Sequence, residues 1–330
     1  MTVPVLSGSV VADLVLPDDE TVVRRRYRAT FLVLALVLAI APFVAYPVFL
    51  MQVLCFALFG LSFNMLLGYG GLLSFGHAAF FGLASYVGAY AAKYGGLAPE
   101  LAIVLGALSS AILGSIFGAI AIRRQGIYFA MITLALAQLL YFVSVQTPEL
   151  TGGENGIQGV PRGKLFGLLD LADDRMLYAV VAGIFLAGLL FVYRIVRSPF
   201  GQICKAIRDN EPRAISLGYR TRHYKVLLFT LSAALAGLAG ATKAIVFQLA
   251  SLTDVHWSTS GEVVLITLVG GLGTMLGPIV GALVIVSMQN YLANFGAWTT
   301  VVQGAIFIVC VSLLRGGIVG LVQKWTGRAL

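Results

Sequence analysis

The sequence predicts an all-α, polytopic membrane protein with about 10 transmembrane helices. Of its 330 residues, 59% are hydrophobic and 11% are charged, whereas a soluble domain carries about 25% charged residues. Apolar segments of about 20 residues recur along the chain, and a helix of that length crosses the hydrocarbon core of a bilayer. Most of the 22 Lys and Arg lie between alternate apolar segments, as they do when basic loops stay on one side of a membrane. These observations exclude a soluble globular protein.

The predicted spans are apolar runs separated by charged residues, Gly or Pro. Their bounds are 30–45, 48–67, 74–92, 98–122, 127–145, 177–196, 224–247, 261–269, 278–293 and 298–314. The first run lacks the small-residue cleavage site of a signal peptide, so we expect it to remain as a helix. The run at 261–269 is short for a crossing, which leaves the count open by one or two.

The positive charges assign the sides of the membrane, because cytoplasmic loops carry an excess of Lys and Arg. If the N-terminus is inside, the outside segments hold only four cations, Lys93, Arg162, Lys164 and Arg175. We therefore predict a cytoplasmic N-terminal segment at 1–29, a transmembrane permease domain at 30–314 and a cytoplasmic tail at 315–330. Both termini are predicted to be cytoplasmic.

Positive charge is most concentrated in residues 197–225, which read RSPFGQICKAIRDNEPRAISLGYRTRHYK. The seven cations of this segment are Arg197, Lys205, Arg208, Arg213, Arg220, Arg222 and Lys225. A segment this long and regular, with no core of its own, is expected to dock a partner. The sequence thus predicts a membrane subunit that is driven by a cytoplasmic protein.

The longest segment predicted outside is residues 147–176. It combines acidic residues with turn-forming Gly, Pro and Asn. A loop of this length is uncommon without a function. Two interpretations stay open, a small periplasmic docking element and a solvated linker.

Two Gly-rich stretches interrupt the apolar runs, one around Gly68–Gly71 and one at Gly270–Gly277. Irregular backbone at membrane depth is tolerated only where protein or a water-filled cavity satisfies it, and corresponding broken helices occur in the two halves of many transporters. Beside the first stretch we place three candidate residues of the substrate pathway, Asn64, Ser74 and His77. The spacing of three predicts that Ser74 and His77 share a helix face. The alternative for His77 is a bond to a neighbouring helix that fixes packing.

Two further ionisable residues, Lys243 and Glu262, lie within or beside spans, and neither has a partner at helical spacing. We expect Lys243 to reach outward to the membrane surface. Structural or interfacial roles are favoured for both.

Motifs of catalysis are missing from the sequence. It contains no G-x-x-x-x-G-K-[ST] phosphate-binding loop and no zinc or nucleophile-elbow motif. The three Cys and three His are scattered, so no disulfide framework, metal site or cofactor is predicted. The chain is therefore expected to be no enzyme itself, and energy for uphill transport must come from a partner or an ion gradient.

Five blocks occur in an order that resembles one family: LLGYGGLLSFGHAAFFGLASY, RRQGIYFAMITLALAQLL, LTGGENGIQGVPR, SPFGQICKAIRDNEPRAISLGY and TLVGGLGTMLGPIVGAL. They are similar to the second type of permease subunit of bacterial branched-chain amino-acid ABC importers, over about residues 30–320. The resemblance implies an inner-membrane protein that forms a heterodimer with a second homologous permease. It also implies two cytoplasmic ATP-binding subunits and a periplasmic substrate-binding protein, and no nucleic acid.

Residues 197–225 then match the coupling element of this family, a short cytoplasmic helix that sits in a groove of the ATPase. Ala214 and Gly218 fit the small-residue and glycine places of the coupling motif, while Pro212 occupies the usual glutamate place and Glu211 comes one residue early. The candidate coupling residues are Glu211, Arg213, Ala214 and Gly218. Pro212 suits the first turn of a helix and Gly218 suits its end.

The function predicted is that of a permease subunit of an ATP-driven importer for leucine, isoleucine or valine. A permease for urea or short amides is a close alternative. An ion-coupled secondary transporter is a second, for which buried carboxylates within spans are expected, and a membrane scaffold without transport is a third.

Overall fold

The computed structural model describes residues 20–165, 167, 169–292, 301–302, 304–305, 308 and 316–326. The chain divides into two compact units, Met1–Tyr46 and Pro47–Leu330. The described part of the first unit contains α1 (Glu20–Val44). In the second, the long helices are α2 (Pro47–Asn64), α3 (His77–Lys93), α4 (Pro99–Ala121), α5 (Ile127–Gln146), α7 (Asp174–Arg197), α10 (Thr221–Phe247), α12 (Trp257–Gly270) and α13 (Gly277–Leu292). The shorter ones are α6 (Pro148–Thr151), α8 (Pro199–Asp209), α9 (Glu211–Ser216), α11 (Leu252–Val255) and α14 (Gly317–Thr326).

These helices confirm the all-α prediction. Within the described residues, five helices are long and apolar enough to cross a membrane, namely Pro47–Tyr69, Pro99–Ala121, Ile127–Gln146, Asp174–Arg197 and Thr221–Phe247. Two shorter apolar helices are Ala29–Val44 and Gly277–Leu292. The predicted span at 298–314 lies largely outside the described residues. The chain is thus a multi-pass protein, and the count of ten spans and the placement of the termini stay predictions.

Helix boundaries follow local chemistry. Pro47, Pro99 and Pro199 each lie in the first turn of a helix, where the missing N–H of proline leaves no bond unmade. At α7, the Asp173 side chain accepts from Arg175 N, and Arg197 lies in the last turn, where a cation favours the helix dipole. The short predicted run at 261–269 is the inner part of α12, a helix of 14 residues.

Helix α10 is the centre of the second unit and packs against α2, α3 and α4. Its contact faces carry small residues, which let backbones approach closely. A Cβ on Gly237 would lie 2.5 Å from Ser110 Cβ of α4, and a Cβ on Gly106 of α4 would lie 2.7 Å from Ala241 Cβ. Helix α3 packs against both α4 and α10 and is largely buried.

Much of the segment between α5 and α7 folds back onto the bundle. Strand β1 (Ile157–Gln158) pairs antiparallel with β4 (Leu249–Ala250), and β2 (Lys164–Leu165) pairs with β3 (Leu169–Asp170). Ile157 and Val160 are buried. Arg162 donates to Asp174 at 2.7 Å and to the carbonyl of Val246 at 3.1 Å. Ile157, Val160 and Arg162 are thus packed against the helices, whereas Lys164, Leu169 and Asp170 of the second hairpin are exposed.

Hydrogen bonds between the segments that connect the helices show which of these segments lie at the same end of the second unit. At one end, Arg208 of α8 donates to the Gly68 carbonyl, and Gln125 donates to Glu211 at 2.7 Å. At the other, Lys93 donates to the Gln158 carbonyl at 2.7 Å. The basic segment, the turn before α5 and the first Gly-rich stretch therefore share one end, which we name the basic end. The side of the membrane on which the basic end lies stays a prediction from the charges.

Candidate functional site

The basic segment folds into α8 and α9, two helices with their own caps. Ser198 accepts from Gly201 N at 3.3 Å to begin α8, and Asn210 accepts from Arg213 N at 3.0 Å to begin α9. These side chains satisfy N–H groups that a helix start leaves open. Asn210 alone separates the two helices. Residues 197–225, the predicted coupling loop, thus contain two consecutive short helices at the basic end.

The end of α9 is closed by Gly218, as its sequence position predicts. Its φ is +87°, a left-handed conformation that glycine adopts without the penalty of a Cβ. Gly218 N donates to Ile215 O at 2.9 Å, and Tyr219 N donates to Ala214 O at 3.1 Å. These bonds satisfy the last carbonyls of the helix.

Helix α9 presents an apolar surface on its outer side. Ile215 is 57% exposed and Leu217 is 69% exposed, whereas Ala214 is buried against the protein. Arg213 is exposed beside them. Exposed aliphatic side chains beside a cation are more typical of a docking surface than of a solvated turn.

Glu211, a predicted coupling residue, is held by its own chain. Its Oε2 accepts from Lys225 Nζ at 2.6 Å and from Gln125 Nε2 at 2.7 Å. The side chains of Glu211 and Lys225 are 19% and 11% exposed. Glu211 thereby ties the start of α9 to α10 and to the turn before α5. The structure brings Arg213, Ala214 and Gly218 together on α9, and it turns Glu211 inward.

A cavity of about 380 Å³ opens beside the end of α9. Its lining is aromatic and basic, formed by Phe200, Gly218, Tyr219, Arg220, His223, Tyr224 and Leu227. The rings of Phe200 and Tyr224 stack with centroids 5.8 Å apart. This cavity extends the exposed surface of α9 along the basic end.

Two cations of α8 point away from that surface. Arg208 Nη1 donates to the carbonyl of Gly68 at 2.5 Å, and Lys205 Nζ lies 5.5 Å from the centroid of the Tyr69 ring. Burial and the positive charges of Arg197 and Arg208 lower the pKa of Lys205, and Asp209 opposes the shift. These contacts cannot be predicted from the basic segment alone, because Gly68 and Tyr69 are distant in the chain.

Helix α2 ends in a π-helical stretch, Met65–Tyr69, and an irregular segment follows up to α3. We name residues 65–76 the first break and residues 271–276, between α12 and α13, the second break. Asn64 joins them. Its Oδ1 accepts from Gly273 N at 2.9 Å, and its Nδ2 donates to Thr274 O at 2.8 Å. The two Gly-rich stretches of the sequence therefore pack against each other.

Ser74 lies in the first break, and α3 begins only at His77. The prediction that the two share a helix face is therefore wrong. Ser74 Oγ instead accepts from Gly76 N at 3.2 Å. Thr133 and Ser260 accept from Phe75 N and Ala78 N at 3.2 and 2.9 Å. These N–H groups at the start of α3 are therefore occupied by hydroxyl groups of the chain.

His77 is fully buried among the rings of Phe63, Phe80 and Phe229. Its Nε2 lies 2.9 Å from Ser232 Oγ, which donates its hydrogen to the carbonyl of Ser62 at 2.7 Å. His77 Nε2 must therefore carry a hydrogen and donate. This leaves Nδ1 as an acceptor with no partner among the described residues. His77 links α3 to α10 and, through Ser232, to α2.

Lys243 does not reach outward as expected. Its Nζ lies 2.7 Å from Oδ1 of Asp254, and the two side chains are 12% and 7% exposed. Ser85 Oγ also donates to Asp254, at 3.3 Å. Glu262 accepts from Gln289 Nε2 at 2.6 Å. Sequence reasoning missed these partners because they come from other helices or from the short α11. No periodicity along one helix marks them.

Metal chemistry gains no support from the described residues, where no group of three His, Cys, Asp or Glu is placed to hold an ion. Cys204 of α8 is buried, and burial raises the pKa of its thiol to about 11. The described residues of the site provide an exposed helix surface at α9 and buried polar contacts between helices.

Comparison with known proteins identifies a family whose profile matches most of the chain. The sequence profile of the family described as "Branched-chain amino acid transport system / permease component" matches residues 47–311. The chain is 28% identical over 322 residues to the high-affinity branched-chain amino acid transport system permease protein LivM of Escherichia coli strain K12, covering 88% of this chain and 74% of that protein. Against the protein of the same name from Salmonella typhimurium, it is 28% identical over 276 residues, covering 77% of this chain and 65% of that protein, just under two thirds.

A third relative is the inner membrane ABC transporter permease protein YjfF of Escherichia coli strain K12. The chain is 32% identical to it over 259 residues, which covers 71% of each. No solved structure matches the chain.

Proposed function

Because this chain belongs to the family of branched-chain amino acid transport system permease components, we propose that it is the permease subunit of an ATP-driven importer for leucine, isoleucine and valine. The match over residues 47–311 carries this proposal, together with two relatives named as permeases for these amino acids. Five long apolar helices supply the membrane body.

The partners of the importer follow from this role. We propose a heterodimer with a second homologous permease, two cytoplasmic ATP-binding subunits and a periplasmic substrate-binding protein, in the bacterial inner membrane. The chain itself is proposed to carry no ATPase activity, and its sequence contains no G-x-x-x-x-G-K-[ST] loop. The positive charges support cytoplasmic placement of the basic end and of both termini.

The docking site for an ATP-binding subunit is proposed on α9. Ile215 and Leu217 expose apolar area there, and Arg213 adds a positive charge beside them. Ala214 and Gly218 contribute by shaping the helix, since Ala214 is buried and Gly218 closes its end. Glu211 contributes by anchoring α9 to Lys225. Its carboxylate is thus proposed to position the docking helix and not to contact the partner.

The path for the amino acid is proposed to run beside the two breaks. Asn64, Ser74 and His77 are all fully buried in the described conformation. We propose that they act on the path through the backbone that they hold. Asn64 holds the second break, Ser74 holds the segment before α3, and His77 holds the start of α3. Rearrangement of these breaks would open the path.

A secondary transporter driven by an ion gradient is less well supported. Buried carboxylates do occur, at Asp254 and Glu262, but Asp254 is paired with Lys243 and Glu262 accepts from Gln289. A carboxylate that carries a coupling ion needs access to water on each side in turn. The relatives named above are permeases, which favours the permease over that activity.

Reconstitution of the whole complex tests the proposal. The chain is co-expressed with the second permease and the ATP-binding subunits, and the proteoliposomes receive binding protein loaded with leucine, urea or phenylalanine. We expect leucine-loaded binding protein to stimulate both ATP hydrolysis and leucine uptake. Stimulation only by binding protein loaded with urea would instead favour a permease for urea or short amides. Leucine uptake that follows a sodium or proton gradient without ATP would refute the ABC mechanism.

A further inference from the structure

Helix α8 faces the first break with two of its cations. Lys205 and Arg208 are three residues apart, which places them on one face of the helix. Lys205 lies over the ring of Tyr69, and Arg208 donates to the carbonyl of Gly68. Both contacts fall on the π-helical end of α2. This face of α8 is therefore joined to the end of α2.

The carbonyl of Gly68 lies where regular helix hydrogen bonding stops. The last carbonyls of a helix have no partner in a following turn, and π-helical turns frequently mark functional sites. A guanidinium donor makes a charge-assisted bond that is about twice as strong as a neutral one. The stem of Arg208 lies over Gly71, whose φ is +67°, and a Cβ on Gly71 would come within 2.6 Å of Arg208 Cγ. The first break is thus shaped to receive this side chain.

Contacts continue from the first break to the second. A Cβ on Gly68 would lie 2.8 Å from Gly273 N, so the two backbones are in direct contact. Asn64, one turn before Gly68, bonds Gly273 and Thr274. At the second break, Gly271 packs against the backbone at Gly316. An unbroken series of contacts therefore runs from α8 through both breaks.

We propose that Arg208 is the positioning residue that transmits movement of α8 to the first break, and through Asn64 to the second. This inference rests on the proposed function, because it assumes that an ATP-binding subunit moves α8 and α9. Arg208 suits the task because its bond to a backbone carbonyl acts on the main chain of α2 and does not depend on a side chain. Without it, the ATP-binding subunits would still dock on α9, but their movement would not reach the breaks.

The test compares uptake per ATP hydrolysed in reconstituted complexes. Arg208→Met keeps most of the stem over Gly71 and removes the donor. Arg208→Lys restores a charge and a donor at the end of a similar stem. Asp209→Ala is the matched control, because it removes the exposed ion pair of Arg208 with Asp209, at 2.8 Å, and keeps the bond to Gly68. Arg222→Ala is a second control, since Arg222 also donates to a backbone carbonyl, that of Ala119.

We expect Arg208→Met to lower uptake per ATP about tenfold, as the loss of one charge-assisted hydrogen bond allows. ATP hydrolysis and the melting temperature of the complex should stay near the parental values. Arg208→Lys should recover part of the loss, and both controls should couple normally. Unchanged uptake per ATP in Arg208→Met would overturn the proposal. So would a loss of assembled complex with normal uptake per ATP in what remains, because that result indicates a structural role only.

A second measurement decides the question if Arg208→Met assembles poorly. Hydrogen exchange of the peptide over residues 65–76 is followed in the parental complex with and without ATP. We expect exchange at the first break to change when ATP binds, and no change would overturn the proposal. Failure of the proposed function itself has a separate signature, since the parental complex would then not take up leucine with ATP at all.

Discussion

Lys243 and Asp254 form a buried ion pair in which Nζ lies 2.7 and 2.8 Å from the two carboxylate oxygens. Lys243 belongs to α10, the central helix, and Asp254 belongs to the short α11. Asp254 also accepts from Ser85 Oγ of α3 and from Ser251 N. The carboxylate of Asp254 therefore holds α3, α10 and α11 together, at the end of the bundle opposite to the basic end.

Asp254→Ala should lower the free energy of unfolding by about 3–5 kcal/mol, because it leaves the Lys243 ammonium buried without its partner. The double variant Lys243→Met with Asp254→Leu should recover most of that loss, since no charge then remains buried. Thermal unfolding of the purified complex measures both. Asp209→Ala, which breaks a surface pair, is the control and should change stability by less than about 1 kcal/mol. Equal losses in the single and double variants would contradict the role assigned to the pair.

His77→Leu should lower stability by about 1–3 kcal/mol, because Ser232 loses its donor inside the core. Uptake per assembled complex should also fall, because His77 holds the start of α3 beside the first break. Assembled yield, thermal stability and uptake per complex are measured together. His77→Gln retains an amide donor and should lose less. Normal stability with reduced uptake per complex would instead place His77 in direct contact with solute.

Gly218→Val should reduce transport while membrane insertion survives. The φ of Gly218 is +87°, which costs a branched residue roughly 1 kcal/mol or more, and no atom lies within 4 Å of a Cβ built there. Gly183→Ala of α7 is the matched control, because its surroundings are also open but its φ is not positive. Uptake and retention of the ATP-binding subunits report the outcome. Normal values for Gly218→Val would reject both the cap and its part in coupling.

Cysteine labelling tests the sides of the membrane. Ser216 and Glu154 are both exposed, so a cysteine is placed at each of them in turn. In intact cells, an impermeant thiol reagent should label Glu154→Cys and spare Ser216→Cys, which should react after the cells are opened. Labelling of the parental chain is subtracted. The reverse pattern would exclude the predicted orientation.

Local chemistry in the sequence was enough to predict the helices and several of their ends. Apolar length and bounding Pro or Gly residues predict α4, α5 and α10 to within a few residues, because these signals act within one helix. The cap at Gly218 was predicted in the same way, since a left-handed turn depends on the residue itself. The start of α3 was placed three residues early, because the apolar run begins in the first break, where hydroxyl groups from other segments hold the backbone.

The sequence alone predicts the features that depend on neighbouring residues or on composition. These are a polytopic α-helical membrane protein, the concentration of positive charge in residues 197–225, two Gly-rich stretches and a family resemblance. Which polar groups meet depends instead on the packing of the helices in three dimensions. The bond from Arg208 to Gly68 spans 140 positions and that from Asn64 to Thr274 spans 210. The partner of a buried polar group is fixed by how helices pack, because a nonpolar interior requires some partner but no spacing along the chain specifies which one.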